Sequence, residues 1–195
     1  MAKVKLGPST FVCPQPVFLV GANVDDKPNF ITVAWGSIAS ERPSMISIAI
    51  RHIRYTLKGI KQTGTFSINI PSEDIVVEAD YCGIVSGAKA DKAAVCRFDV
   101  FYGKLNNAPM IGQCPVNLEC KLMHTINLGS HVLLIGSIEE TLIDESCITD
   151  GKPDVSKIKP FIYSAGYKNQ YQNFGNFIAS AFKAGKALKN NEKSY

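Results

Sequence analysis

A basic turn spanning Arg51 to Thr56 is the part of this chain best equipped to bind an anion. It reads RHIRYT, and the residues that carry its chemistry are Arg51, His52, Arg54, Tyr55 and Thr56. We predict that Thr56 is the N-cap of a helix beginning at Leu57. A helix N-terminus offers unpaired N–H groups to phosphate, and arginine adds bidentate, charge-assisted hydrogen bonds. A solvated basic loop beside an ordinary cap would show the same residues, so the turn alone leaves both interpretations open.

An apolar run that ends in a flat aromatic side chain precedes the turn. It reads NFITVAW, and its candidate contact residues are Asn29, Thr32, Val33, Ala34 and Trp35, the only tryptophan. Polar side chains inside an apolar strand need hydrogen-bond partners, and ligand hydroxyls or ring carbonyls could supply them. Trp35 could then lie against a planar ring. Alternatively, Asn29 is a turn residue, Thr32 faces solvent and Trp35 fills the core.

A glycine-bearing loop, SGAKADK, is the third candidate. Its residues of interest are Ser86, Gly87, Ala88, Lys89 and Lys92. Glycine lets backbone approach a ligand closely, and lysines three apart share one face of a helical turn. We expect further phosphate or ring contacts here, although a flexible surface loop explains the segment equally well.

His131, at the start of an apolar strand, is a weaker candidate for ligand contact. The three histidines are far apart and lack ligand spacing, so we expect no metal site. The chain carries none of the common hydrolase, metalloprotease, P-loop or dinucleotide motifs. We therefore name no catalytic side chain.

Composition limits the classes of partner. The 195 residues fit one domain, 46% are hydrophobic and the formal net charge is +4. This charge is too small and too scattered for nucleic acid. No apolar stretch reaches the roughly 20 residues of a membrane helix.

Cysteine usage points to a reducing compartment. None of the six cysteines forms a CxxC pair, and the N-terminus lacks the apolar region of a signal peptide. We expect reduced, mostly buried thiols in the cytoplasm. The alternative is a redox-active thiol, with Cys13 or Cys82 the best candidate.

Short runs with turn signals predict an antiparallel barrel decorated with helices. We expect six strands and two helices. The strand Thr65–Ile70 should be half-buried. The second helix should be capped by Ser72 and followed by a loop over Gly83–Ala94. The predicted strands are Val17–Val24, Asn29–Trp35, Met45–Ile50, Thr65–Ile70, Val116–Ile126 and His131–Ile143. The two helices are Tyr55–Gln62, stopped by Gly64, and Glu73–Cys82.

The C-terminal region predicts a third, amphipathic helix over Asn173–Lys189. Its apolar residues follow a helical stripe, and lysines near its C-terminal end would interact favourably with the helix dipole. The stripe is Phe174, Phe177, Ile178, Ala181, Phe182, Gly185 and Leu188. A second subunit could cover it.

The order of these elements resembles the flavin reductase-like family, and within it the flavoredoxins. The resemblance rests on the ordered set N..T.AW, R....T, TFSINI, SG.K.DK and LGSHVLLIG, and it covers roughly residues 12–171. It implies a mainly β, Greek-key FMN-binding split barrel with peripheral helices and a C-terminal helix. It also implies one domain over residues 1–195, with an extension from about 173, and a homodimer that binds FMN near its interface.

The resemblance also assigns roles by position. The NFITVAW residues would lie along the flavin, the RHIRYT residues would hold its phosphate and ribityl chain, and the SGAKADK residues would form a second ligand loop. His131 falls where relatives carry a histidine after aspartate, whereas Ser130 precedes it here. Tyr163–Tyr171 would cover a flavin edge.

Three functional hypotheses follow. The first is an FMN-dependent oxidoreductase that accepts electrons from NAD(P)H or a protein donor. The second is a non-enzymatic flavoprotein that carries electrons between protein partners. The third, a binding or structural barrel without cofactor, is disfavoured because Thr32, Arg51, Thr56 and Lys89 are all present.

Overall fold

The computed structural model describes residues 1–186 and residue 188. The chain is mainly β, with 41% strand and 18% helix, and its strands build one large antiparallel sheet with small helices around it. The predicted fold class is confirmed.

The strands in chain order are Gln15–Pro16 (β1), Phe18–Val24 (β2), Lys27–Val33 (β3), Gly36–Ser40 (β4), Met45–Arg51 (β5), Thr65–Ile70 (β6), Val100–Phe101 (β7), Met110–Ile111 (β8), Val116–Asn127 (β9), His131–Ile143 (β10), Ile148–Thr149 (β11), Lys152–Pro153 (β12), Phe161–Ser164 (β13) and Gln170–Asn173 (β14). The α-helices are Tyr55–Thr63 (α1), Val76–Ile84 (α2), Lys92–Val95 (α3) and Val155–Ile158 (α4), and 3₁₀ turns cover Glu73–Ile75 and Glu145–Cys147.

Seven strands form the main sheet in the order β3-β2-β6-β9-β10-β5-β4. The sheet curls so that the end of β3 approaches β5, and the Ala49 N–H donates to the Trp35 carbonyl at 2.8 Å. The tight β2–β3 turn uses Asp25 and Asp26, both at positive φ, which matches the twist of the strands. The gap beside this hydrogen bond, between β3 and β5, is where the barrel is split.

Two apolar clusters hold the fold together. One lies inside the curled sheet and includes Val20, Ile48 and Phe66, together with Leu57 and Ile60 of α1. The other packs α2 and the segments after it on the outer face of β2 and β3, and its members are Val17, Leu19, Phe30, Ala79, Cys82, Ala93, Phe98, Ile111, Cys114 and Phe161. The second cluster therefore fixes α2, and the loop after it, beside β3.

The prediction that β6 is half-buried was wrong. Thr65, Ser67 and Asn69, the polar positions of the alternation, are buried as well. A loop after β7 covers them: Thr65 Oγ1 donates to Asn107 Oδ1 at 2.7 Å, and Asn69 Oδ1 accepts from the Ile111 N–H at 3.0 Å. Alternation shows which residues share a face, but a loop decides whether that face meets water.

The helical prediction over Glu73–Cys82 needs correction in detail. A 3₁₀ turn comes first and α2 continues to Ile84. The Ser72 hydroxyl lies 3.3 Å from the Asp74 carboxylate instead of capping backbone. The loop predicted over Gly83–Ala94 contains the start of α3.

The C-terminal helix predicted over Asn173–Lys189 was wrong in its first part. Asn173 ends β14, which pairs with β13 through Phe161, and residues 174–180 have no regular structure. Residues 181–185 form turns, and among the described residues of this segment Lys186 and Leu188 are helical. The end of the predicted helix, at Lys189, lies outside the described residues. Pairing with β13 accounts for Asn173 alone. Beyond it Phe177, Ile178 and Phe182 are exposed, so the apolar stripe lacks the tertiary packing that stabilises most helices.

Within residues 1–186 and 188, no helix is both long and apolar enough to cross a membrane.

Candidate functional site

A cleft of about 170 Å³ opens at the split of the barrel. The end of β3 and the Ala34–Trp35 segment form one wall, and the end of β5 forms the other. Its lining comprises Gln15, Ile31, Thr32, Val33, Ala34, Trp35, Ala49, Ile50, Arg51, Arg54, His131 and Tyr163. The structure thus brings together the NFITVAW run, the basic turn and His131, which are far apart in sequence.

Two further clefts continue from this one. The middle cleft, of about 260 Å³, shares Ile31 and Arg54 with the first and adds the start of α1 and the loop after α2. The outer cleft, of about 400 Å³, shares Tyr55, Gly87 and Lys92 with the middle one and extends over Ala88 and Lys89. We call the three together the binding groove, with a ring end at Trp35 and an anion end at Lys89.

The ring end carries two aromatic side chains. Trp35 and His131 have ring centroids 4.6 Å apart at an interplanar angle of 31°, and Trp35 is 40% exposed. Burial lowers the pKa of His131, and the nearby positive charges of Arg51 and His52 lower it further. His131 is therefore mostly neutral at pH 7, and Trp35 stacks on this histidine instead of filling the core.

Gln15 is a groove residue that the sequence analysis missed. It is only 7% exposed, and its Oε1 atom is buried with no hydrogen-bond partner among the described residues. It lies on β1 opposite Tyr163 of β13, and both side chains line the ring end. No motif marks Gln15, because only the pairing of β1 with a strand almost 150 residues later (163 − 15 = 148) places it there.

The anion end is built around the start of α1. The helix begins at Tyr55 with Arg54 at the N-cap, and no side chain caps it. The prediction that Thr56 is the N-cap was therefore wrong: Thr56 lies in the first turn, is buried, and accepts a hydrogen bond of 2.6 Å from Asn29 Nδ2. The Leu57 N–H donates to the Arg54 carbonyl at 3.1 Å, so the N–H groups of Tyr55 and Thr56, which line the middle cleft, are the ones that a ligand could use.

Two of the predicted cationic ligands already bind the protein itself. Lys92 is 3% exposed, and its Nζ donates to the carbonyls of Cys82 at 3.0 Å and Val85 at 3.1 Å. Arg54 Nη1 donates to the Gly83 carbonyl at 3.5 Å. Burial lowers the pKa of Lys92, and the charge of Arg54 adds to this effect. Both side chains hold the C-terminal end of α2 against the groove.

Thr32 and Gly87 also have contacts within the chain. The Thr32 hydroxyl donates to the Ala79 carbonyl of α2, so it does not need a ligand as its hydrogen-bond acceptor. A Cβ at position 87 would collide with the Asn29 carboxamide and lie 3.0 Å from the Tyr55 ring. Glycine is needed there for the loop to pack on β3 and α1.

All but one of the remaining predicted residues line the binding groove. Ser86, Ala88 and Lys89 are exposed and lie along the middle and outer clefts. His52 is the exception, since it lines none of the three clefts and its Nε2 lies 3.2 Å from Asn127 Oδ1.

An apolar recess of about 360 Å³ adjoins the ring end. It lies between Trp35 and the segment before β1, and shares Gln15 and Ala34 with the groove. Tyr163 packs near Tyr171, whose hydroxyl donates to Asp80 at 2.9 Å. Of the predicted Tyr163–Tyr171 cover, Tyr163 is the residue that lines the groove.

Four of the six cysteines are buried, as predicted, and Cys13 is exposed. Burial raises the pKa of Cys82 to about 12, which leaves almost no thiolate at pH 7 and makes it a poor redox-active thiol. The sulfur of Cys13 lies 3.3 Å from Ser164 Oγ.

Comparison with known proteins agrees with this architecture. A flavoredoxin from Methanosarcina acetivorans has a solved structure that is 37% identical, with a TM-score of 0.92 over 96% of this chain and 100% of that one. The flavoredoxin of Desulfovibrio vulgaris (Miyazaki F) is 39% identical, with a TM-score of 0.87 over 94% and 100% of the two chains. An uncharacterized protein of Archaeoglobus fulgidus is 31% identical over 146 residues, or 75% of this chain and 81% of its own length.

The family model for the flavin reductase like domain matches residues 10–166. This span contains the whole binding groove and all seven strands of the main sheet. The chain therefore belongs to the flavin reductase-like family.

Proposed function

We propose that this protein is an FMN-dependent oxidoreductase that receives electrons from NAD(P)H or from a protein donor. The observation that carries the proposal is the continuity of the binding groove. It joins an aromatic ring end to the uncapped start of α1, as a phosphorylated planar cofactor requires, and its size is typical of cofactor sites at roughly 300–1,000 Å³.

The residues of the groove fit FMN. At the anion end, the first N–H groups of α1 and the exposed Ser86 and Lys89 would hold the phosphate. At the ring end, Ala34 and Trp35 offer a flat surface. The buried Gln15 Oε1 atom lacks a partner, which fits a ligand that brings a hydrogen-bond donor to this point.

FMN, when bound, supplies the hydride and electron chemistry. The chain contributes position and charge. Arg51 lines the ring end, and its guanidinium would stabilise negative charge on a ring bound there. Neutral His131 holds Trp35 in place by stacking. The second apolar cluster keeps α2 and its loop against the groove.

The apolar recess beside Trp35 favours NAD(P)H as the donor. It opens next to the ring end, and its apolar lining comes from Val12 and Pro14 before β1 together with Pro16, Ala34 and Trp35. A nicotinamide ring could enter it to reach a ring bound in the groove. The electron carrier, our alternative, needs no such site. The two functions differ in whether the nucleotide itself reduces the bound cofactor.

The test is the visible spectrum of the protein after incubation with FMN and desalting, followed by anaerobic addition of NADH or NADPH. We expect a retained flavin spectrum that bleaches with one of the nucleotides. Bleaching by dithionite alone would favour the carrier. A titration that shows no affinity for FMN would refute both functions.

We also propose that the protein is a homodimer in the cytoplasm. Phe177 is 81% exposed, Ile178 95% and Phe182 97%, and a second copy could cover this apolar segment. Deletion of residues 174–195 should shift the mass measured by analytical ultracentrifugation from dimer to monomer. An unchanged mass would show that the segment does not form the interface. The cytoplasmic location stays a prediction from the cysteines.

A further inference from the structure

The Gln15 carboxamide is a buried acceptor in the wall of the groove that is not satisfied by the chain. Its Oε1 atom has no hydrogen-bond partner among the described residues, although the residue is only 7% exposed. Buried polar atoms in folded proteins are almost always paired, and an unpaired one calls for a missing partner. Gln15 lines both the ring end and the recess beside it, and its Oε1 atom is not tied to the chain by a hydrogen bond, so a rotation of the side chain would bring this acceptor to a ligand in the groove.

The backbone at Gln15 is held in place by its neighbours. Pro14 and Pro16 flank it, and each proline fixes its own φ. Gln15 and Pro16 pair with Tyr163 and Ile162 of β13, and Val17 follows, buried in the second apolar cluster. The acceptor is therefore presented by a fixed strand and not by a mobile loop.

The groove has a direction, which limits what can face Gln15. The N-terminus of α1 and Lys89 would hold the anionic end of FMN, and its planar ring would then lie at the opposite end, beside Trp35 and Gln15. An oxidised isoalloxazine ring has a single N–H group, at N3 on its pyrimidine edge, and its dimethylbenzene edge has no hydrogen-bond donor.

We propose that Gln15 Oε1 accepts the N3–H of bound FMN and thereby selects the pyrimidine edge of the ring. This assignment rests on the proposed FMN function and names the specificity-determining residue of that site. Gln15 is a positioning residue: it takes no part in electron transfer, and it fixes which edge of the ring lies against β1.

The test compares FMN with 3-methyl-FMN, in which a methyl group replaces the N3 hydrogen. Dissociation constants are measured by fluorescence quenching for the wild type, for Gln15→Met, which keeps the side-chain length, and for Gln15→Ala, which leaves room for the methyl group. Gln170→Met, on the exposed strand β14, is the matched control. Circular dichroism checks that each variant folds.

We expect the wild type and Gln170→Met to bind FMN more tightly than 3-methyl-FMN by roughly five- to tenfold, because one hydrogen bond is lost and a buried acceptor is left unpaired. We expect Gln15→Met and Gln15→Ala to bind FMN more weakly and to lose this preference. Equal affinity of the wild type for both flavins would overturn the assignment even if no variant folds. A preference for FMN over 3-methyl-FMN that persists in both Gln15 variants would also overturn the assignment, but it would leave the proposed FMN binding in place. A wild type that binds neither flavin would remove the proposed function together with the inference.

Discussion

The two ends of the binding groove satisfy their polar groups in different ways. At the anion end, the buried polar side chains are bonded within the chain: Asn29 to Thr56, and Lys92 to the carbonyls at the end of α2. At the ring end, Gln15 Oε1 is buried without a partner and Trp35 is 40% exposed.

This difference separates residues that build the site from residues that can contact a ligand. Lys92 and Lys89 are both lysines of the same loop, but Lys92 is 3% exposed and Lys89 projects from the surface. Because backbone carbonyls already accept hydrogen bonds from the buried Lys92 ammonium, it has little donor capacity left for a phosphate. We therefore expect changes at buried anion-end residues to affect stability, and changes at the ring end to affect ligand binding.

The largest effect should come from Lys92→Met. The substitution leaves the carbonyls of Cys82 and Val85 buried without a donor, and we expect the free energy of unfolding to fall by about 3 kcal/mol. Urea denaturation measures it. Lys89→Met is the matched control and should change stability by less than about 0.5 kcal/mol, but it should reduce the preference for FMN over riboflavin. A stable Lys92→Met protein with weakened FMN binding would reverse the two roles.

Gly87→Ala should have the next largest effect. The new Cβ would collide with the Asn29 carboxamide, which its hydrogen bond to Thr56 holds in place, and the misfit should cost about 1–3 kcal/mol. Thermal unfolding gives the change. At Gly175 a Cβ would meet no atom within 4 Å, so Gly175→Ala should keep the wild-type melting temperature. An equally small change at Gly87 would mean that the loop moves aside freely.

Trp35→Ala should separate binding from stability at the ring end. Trp35 is partly exposed and its main aromatic contact is His131, so the free energy of unfolding should fall by only about 1 kcal/mol. FMN affinity, measured by fluorescence titration, should fall roughly tenfold, which corresponds to about 1.4 kcal/mol. Exposed Tyr167 supplies the control, Tyr167→Ala. Unaltered FMN affinity in Trp35→Ala would place the ring elsewhere.

The smallest effect should be the pH dependence from His131. Its pKa in the folded protein is lowered from 6.5, first by burial, so the unfolded chain binds a proton more readily. The contribution to stability is therefore present above pH 6.5 and is lost as the pH falls through 6.5 towards the folded-state pKa. Urea unfolding between pH 5 and 8 should show a shallower dependence of stability on pH in His131→Asn than in the wild type. A wild-type slope in His131→Asn would contradict this.

Sequence alone predicted the fold class, the hairpin β2–β3, the long strands β9 and β10, and helix α1 with its stop at Gly64, whose φ is +69°. Each of these has a local cause. Apolar alternation and turn residues define the strands, and a left-handed glycine ends the helix. The same local patterns failed where partners far along the chain decide the outcome, as at β6 beneath the loop after β7 and strand β8, and at Asn173, which pairs with Phe161 of β13 instead of starting a helix.

The amino-acid sequence establishes which chemical groups the site can use: the basic turn, the NFITVAW run with its tryptophan, and the glycine loop. Tertiary structure decided which of them remain free. The carbonyls at the end of α2 occupy Lys92, Thr56 pairs with Asn29, and the pairing of β1 with β13 brings Gln15 into the groove. The physical reason is that a side chain's type fixes what it can bind, whereas its burial and its partners, which only the folded chain supplies, fix whether any of that capacity is left for a ligand.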